Sequence, residues 1–250
     1  MALRIAFDLD GVLADMESEL ARQAKKLFGD APARRQSRAV TASPEENDSP
    51  GYDAASESGD PTADSRPPLV RLKLSTPQQR KLWRHVEGIE NFWETLQEIE
   101  PGTVAQLADM ALARKWEVIF LTKRPQTAGR TAQLQTQRWL QARGFELPSV
   151  FVVQGSRGRI AASLDLSIVV DDRIENCLDV VFDSKARAIL VWREDEKQLP
   201  VTARRLGIGA VRSMTQCFSI LAEIDAAGTE TGVFDRVLRM LGLREDSQTA

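Results

Sequence analysis

In four passages of this chain, acidic, hydroxyl or basic side chains follow directly on an apolar run. "RIAFDLDGVLAD" sets Asp8 and Asp10 on either side of Leu9, just before Gly11. "EVIFLTKRP" ends in Thr122, Lys123 and Arg124, "VFVVQGSRGR" in Arg157 and Arg159, and "SIVVDDR" in Asp171 and Asp172. Residues i and i+2 of a strand point to one side, so Asp8 and Asp10 can work together. A carboxylate is able to attack phosphorus as a nucleophile. A second is able to protonate the leaving oxygen and then activate water. Asp8 is read as the nucleophile and Asp10 as the acid/base. Four gathered acids repel, and burial raises them above the ~3.9 of a free Asp. A hard divalent cation resolves this. Mg²⁺ takes one or two carboxylates, waters and a substrate phosphate, so Asp8, Asp10, Asp171 and Asp172 are its candidate ligands. Thr122 and the cations suit a phosphoryl group, whose charge spreads over its oxygens during transfer. Lys123 and Arg124, with Leu9 at the turn, are the candidate substrate contacts. The turn at Gly11 is expected to leave backbone N–H groups free for the same oxygens.

Such a set needs a scaffold that brings distant segments to one edge. From Pro101 the sequence alternates strand and helix: "WEVIFLT", "SVFVVQ", "SIVVDD" and "ARAILVW" read as buried strands, with amphipathic stretches between them. This rhythm predicts an α/β fold, a mostly parallel sheet with helices on both faces. Ligands of open α/β sheets bind at the carboxyl ends of the strands, where all four passages end. Between the first strand and this region lie helical pieces: "ADMESELARQAKKLFG", "STPQQRKLWRHVEG" with Pro77 in its first turn, and "NFWETLQEIEPG" as a further short helix. The expected organisation is a core of residues 1–14 and 100–228, a helical lobe over 15–99, and an amphipathic helix and tail over 229–250. Residues 30–68, rich in Ser, Asp, Glu, Pro and Ala, carry too little apolar surface to offset ordering entropy and are read as disordered.

Composition narrows the function classes. The net charge is −3, with Lys+Arg 33 against Asp+Glu 36, so no global basicity points to nucleic acid. No apolar run approaches the ~20 residues of a membrane helix, and the amino terminus enters a strand at once. The expectation is a soluble cytoplasmic protein whose partner is a small phosphate ester. Cys177 and Cys217 are read as reduced core thiols. His85 is read as a packing residue, Phe92 and Trp93 as core. Asp172 is also placed to cap the helix that follows it.

In their order and spacing, "DLDGVLAD", "FLTKRP", "SRGRIA" and "IVVDDRIENC" resemble the haloacid dehalogenase-like (HAD) hydrolase superfamily. "DLDGVLAD" and "NFWETLQEIEPGTVAQLADM" are similar to its 5′-nucleotidase branch, which includes the 5′(3′)-deoxyribonucleotidases. The resemblance implies a Rossmann-like core with a small helical cap inserted after the first strand. It implies a Mg²⁺-dependent phosphomonoester hydrolase acting through an aspartyl-phosphate. Asp8 would be nucleophile and metal ligand, Asp10 the acid/base and a ligand through its carbonyl. Thr122 would bind the phosphoryl group, and Asp171 and Asp172 would hold the metal. Where that family has a lysine beside the nucleophile, this sequence has Arg157. Arg is not a conservative replacement for Lys, and an impaired, phosphate- or nucleotide-binding protein is the alternative reading.

Overall fold

The computed structural model describes residues 2–29 and 74–227. The expected polar segment at 30–68 and terminal helix at 229–250 lie outside them. Six strands, β1 (Arg4–Asp8), β2 (Glu117–Thr122), β3 (Ser149–Val152), β4 (Ile168–Asp171), β5 (Arg187–Val191) and β6 (Gly209–Val211), form one sheet ordered β3-β2-β1-β4-β5-β6. Every pairing in it is parallel. The sheet is thus wholly rather than mostly parallel. The strand order reverses between β1 and β4, and at such a switch point a crevice opens beyond the strand ends.

Alternation along the strands explains the two helical layers. Ile5, Phe7, Phe120, Ile168, Val170, Ile189 and Val191 share one core with α3 (Thr103–Arg114), α4 (Ala132–Gln141) and α8 (Met214–Ala227). Ala6, Ile119, Leu121, Val169, Ala188 and Leu190 turn the other way. They meet α5 (Arg157–Ser163), α6 (Ile174–Asp183) and α7 (Val201–Arg205). The second layer lies close: a Cβ on Gly158 of α5 would come within 1.9 Å of the Asp179 carbonyl in α6.

Between β1 and α3 stand α1 (Met16–Phe28) and α2 (Thr76–Glu87). Asp15 caps α1 by accepting a 3.0 Å bond from the Ser18 N–H. The Ser75 N–H donates to Gln78 Oε1 at the start of α2, with Pro77 in the first turn. Residues 13–15 and 97–99 run antiparallel, with Asp15 N–H to Gln97 O and Ile99 N–H to Leu13 O both 2.9 Å. The chain therefore leaves β1 and returns to α3 through two crossings held side by side.

Two expected elements are shorter than the sequence suggests. "NFWETLQEIEPG" forms only a 3-10 turn at Phe92–Glu94, because Asn91 is left-handed (φ 52°) and Phe92 and Trp93 drop fully into the core. The stretch "TAGRTAQLQTQRWLQARG" reads as a helix from Thr127 to Gly144, but the helix begins only at Ala132, after Gly129 at φ 90° and the Thr131 cap. Among the described residues, no helix is long and apolar enough to cross a membrane. Both cysteines are free and buried.

Candidate active site

Asp8 ends β1 and Asp171 ends β4, the neighbouring strand at the switch point. Thr122 ends β2, on the other side of β1. Arg157 opens α5. Asp8, Asp171 and Arg157 come together, and all four are buried. Arg157, 1% exposed, donates from Nη2 to Asp8 Oδ1 at 2.5 Å, and its Nε lies 3.6 Å from Asp171 Oδ2. Its Nε and Nη1 make no hydrogen bond. Asp171 is held from the other side by Asn176 Nδ2 (2.9 and 3.0 Å) and by the Arg173 N–H (2.9 Å). Asp171, rather than Asp172, thus serves the start of α6. The sequence places Asp172 correctly for capping, but its carboxylate turns to Gly11 instead.

Gly11 explains that turn. It sits at φ 91°, a conformation glycine tolerates. A Cβ there would lie 2.0 Å from Asp172 Oδ2. Absence of a side chain lets the loop after β1 close onto Asp172. Asp172 Oδ1 is sealed from solvent and has no partner. The expected free N–H groups of this turn are not there: Gly11 N–H bonds Ala14 O, and those of Val12, Leu13 and Ala14 bond Leu9 O. A tight turn satisfies its own donors. The Leu9 side chain is fully buried in the core, so any substrate contact it makes falls to its backbone.

Asp10 has a base of its own, although its charge still reaches Asp8 and Asp172. Arg124 grips its carboxylate through Nη2 (2.7 Å) and Nε (2.9 and 3.1 Å), and Thr122 Oγ1 donates to it at 3.2 Å. Arg124 is 1% exposed, bonds Thr136 Oγ1 at 2.9 Å and lies 5.0 Å over the Trp93 ring. "FLTKRP" marks it as a candidate substrate contact; in the structure its guanidinium is a buried clamp on Asp10. Lys123 is half-buried with no hydrogen bond or ion pair among the described residues. It remains the cation of that passage available to a ligand.

Electrostatics follow from this burial. Desolvation, then the Asp171 charge, raises Asp8 well above the usual carboxylate range, against the pull of Arg157. Burial also raises Asp171, opposed by Arg157 and Asn176. Burial and the Asp171 charge push Asp172 up to about 7. A cation beside Asp172 would satisfy Oδ1 and reverse this shift. Among the described residues, no three His, Cys, Asp or Glu side chains are grouped to hold a metal. The four acids lie near enough for their charges to act on one another, while Arg124 pairs with Asp10 and Arg157 with Asp8 and Asp171. What remains fits Mg²⁺ as usually bound, by one or two carboxylates with waters and a phosphate. Two arginines offset two of four formal negative charges, and one divalent cation would offset the others.

No family model matches this chain, and no curated protein does. Solved structures are similar to it at low identity. One is a HAD family hydrolase from Deinococcus radiodurans R1 with bound phosphate and sodium: 12% identity, TM-score 0.49, covering 89% of this chain and 96% of that one. Another is described as a beta-phosphoglucomutase from Thermotoga maritima: 17%, TM-score 0.48, covering 89% and 99%. A third is a phosphonoacetaldehyde hydrolase-like protein from Oleispira antarctica: 15%, TM-score 0.45, covering 98% and 95%.

Four residues outside the expected set shape the site: Asn176 on Asp171, Trp93 and Thr136 on Arg124, and Arg193 on the loop after β1. Asn176 has a signal, since "IVVDDRIENC" places it one helical turn into α6. The others touch the site only through folding. A cavity of about 450 Å³ lies apart from the strand ends, lined by residues including Gln23, His85, Ile89 and Phe92; none of the four aspartates lines it. There His85 Nε2 meets Gln23 Oε1 at 3.2 Å, which fits a packing role.

Asp172 gives a pH test. The unfolded chain ionises near 3.8, the native residue near 7. Between these values the native state keeps a proton the unfolded state releases, so stability falls as pH rises through that window. Thermal unfolding in chelator should show Tm falling from about pH 4 to about pH 7, with millimolar Mg²⁺ opposing the fall. Asp172→Asn should flatten the profile.

Proposed function

We propose that this protein is a Mg²⁺-dependent phosphomonoester hydrolase acting through an aspartyl-phosphate on Asp8. One observation carries the reading. Beside Asp8, the sealed Arg157 has two nitrogens, Nε and Nη1, that make no hydrogen bond, and the sealed Asp172 Oδ1 has no partner. Unsatisfied buried donors and acceptors are costly. A phosphoryl oxygen suits the Arg157 donors and a cation suits Asp172 Oδ1, and a metal-bound phosphate ester supplies both. Asp8, Asp172 and main-chain oxygen at Asp10 would hold Mg²⁺, with Asp171 behind Arg157. When bound, the metal neutralises charge on the phosphoryl oxygens and on the acids.

Asp8 attacks phosphorus, forming one P–O bond as the ester P–O bond breaks. Asp10, seated by Arg124 and Thr122, enters the cycle protonated from solvent and gives that proton to the leaving oxygen. It then takes a proton from water as that water attacks phosphorus, and the bond to Asp8 breaks to release inorganic phosphate. Arg157 keeps Asp8 oriented and meets the phosphoryl charge, and Lys123 is free to add to it. We assign α1, α2 and the segment from Gly88 to Ile99 to the lobe that covers the substrate, and a nucleotide or other small phosphate ester as the substrate class.

A second reading has its own observation. Arg157 bonds the nucleophilic carboxylate directly, an arrangement equally suited to holding phosphate without turnover. The deciding experiment is phosphate release from nucleoside monophosphates and simple esters, with Mg²⁺ and with chelator. Metal-dependent release is expected. A folded protein that binds Mg²⁺ and inorganic phosphate but hydrolyses none of the esters would establish the binding protein.

A further inference from the structure

We infer that Arg193, two residues beyond β5, is a positioning residue for the reaction proposed above. The inference rests on that reading. Its guanidinium donates from Nη1 to Gly11 O at 2.6 Å and from Nη2 to Val12 O at 3.1 Å. Nη2 also meets Glu100 Oε1 at 2.9 Å. Glu100 accepts the Met214 N–H at the start of α8, at 3.0 and 3.1 Å. Arg193 therefore ties three segments together: the loop after β1, the crossing that returns to α3, and the core at β5 and α8.

The placement matters because of what the loop carries. Gly11 immediately follows Asp10, and its Cα rests against the Asp172 carboxylate. The loop's N–H groups are spent on its own turn, but the carbonyls of Gly11 and Val12 face outward to Arg193. A planar fork of donors can hold two carbonyls and a carboxylate at once. Pulling on Gly11 O sets how closely the loop seats on Asp172, and so the spacing between Asp10 and the proposed metal side of the site.

A purely structural role predicts something different. Arg193 and Glu100 have side chains 26% and 29% exposed, and exposed ion pairs add little to stability. Arg193→Ala should therefore fold with a Tm near wild type. Its kcat should fall about 10–100-fold with KM changed about twofold or less, since small misplacements of reacting groups cost rate. Added guanidinium ion should restore part of that rate and methylammonium should not. Arg193→Lys should recover little, as an ammonium cannot span the three acceptors. Glu100→Gln combined with Arg193→Ala should cost less than the two separate losses together.

Hydrogen exchange gives a readout independent of turnover. The amides of Gly11–Ala14 should exchange faster in Arg193→Ala than in wild type, while those of β1 stay protected. Unchanged kcat together with unchanged exchange of these amides would overturn the assignment. So would a rate loss that only tracks Tm and that guanidinium does not relieve. If wild-type protein releases no phosphate, the phosphatase reading fails, and the exchange measurement still decides whether Arg193 holds the loop.

Discussion

Asp8→Asn should abolish the proposed Mg²⁺-dependent phosphate release, by roughly 10³-fold or more, in a protein that still folds. Removal of a covalent nucleophile is among the most damaging changes an active site can suffer. The fold should tolerate it. Asp8 is buried between Asp171, Asp172 and Arg157, and its charged form is disfavoured by desolvation and by its acidic neighbours. An amide of the same shape removes that repulsion while still offering an oxygen to Arg157. The check is release of inorganic phosphate, paired with acid-quenched labelling from a radioactive ester. Wild type should carry a hydroxylamine-labile phosphate, and Asp8→Asn should carry none. Release that persists undiminished in a clean Asp8→Asn preparation would rule out the mechanism.

Arg157→Ala should be the most destabilising of these substitutions, at about 3–5 kcal/mol, the range for removing one partner of a buried ion pair. Arg157 is the shared partner of two buried acids, Asp8 and Asp171. Without it both lose their nearest counter-charge. Desolvation, which already raises them, would go unopposed on that side. Urea unfolding measures the loss. Adding Asp8→Asn to Arg157→Ala should return part of it, because one of the stranded carboxylates is gone. Arg157→Lys keeps the charge but not the fork. It should fold better than the alanine variant and still turn over about tenfold more slowly than wild type. Faster turnover in the lysine variant would indicate that Arg157 holds the native site back, and would favour the binding-protein reading.

Much of this architecture is legible in the residues. Apolar runs of strand length alternate with helix-length amphipathic stretches, and a parallel α/β sheet is the economical way to bury them. Glycine and proline mark the turns. Local signals of this kind survive folding because they arise within a few residues. "NFWETLQEIEPG" shows their limit. Its composition suits a helix, yet two aromatic anchors and a left-handed Asn91 stop it after one 3-10 turn.

The candidate site divides along the same line. Residue types and strand-end positions select Asp8, Asp10, Thr122, Arg157, Asp171 and Asp172, because parallel strands must end on a common edge. Which acid meets which base is a tertiary matter. "FLTKRP" presents two adjacent cations that sequence cannot tell apart. The fold buries Arg124 against Trp93, Thr136 and Asp10 and leaves Lys123 at the loop. The same holds for Asp171 and Asp172: side chains of adjacent residues diverge, so one reaches Asn176 and Arg157 while the other rests on Gly11. Arg193 lies 182 positions from Gly11, and no local pattern announces that pair. The sequence by itself determined a parallel sheet and the order of acids and bases along it, and pointed to the chemistry proposed for them. The partners of each charge were decided only by the tertiary structure, because a buried charge is settled by whatever the packed neighbours leave within a few ångströms of it.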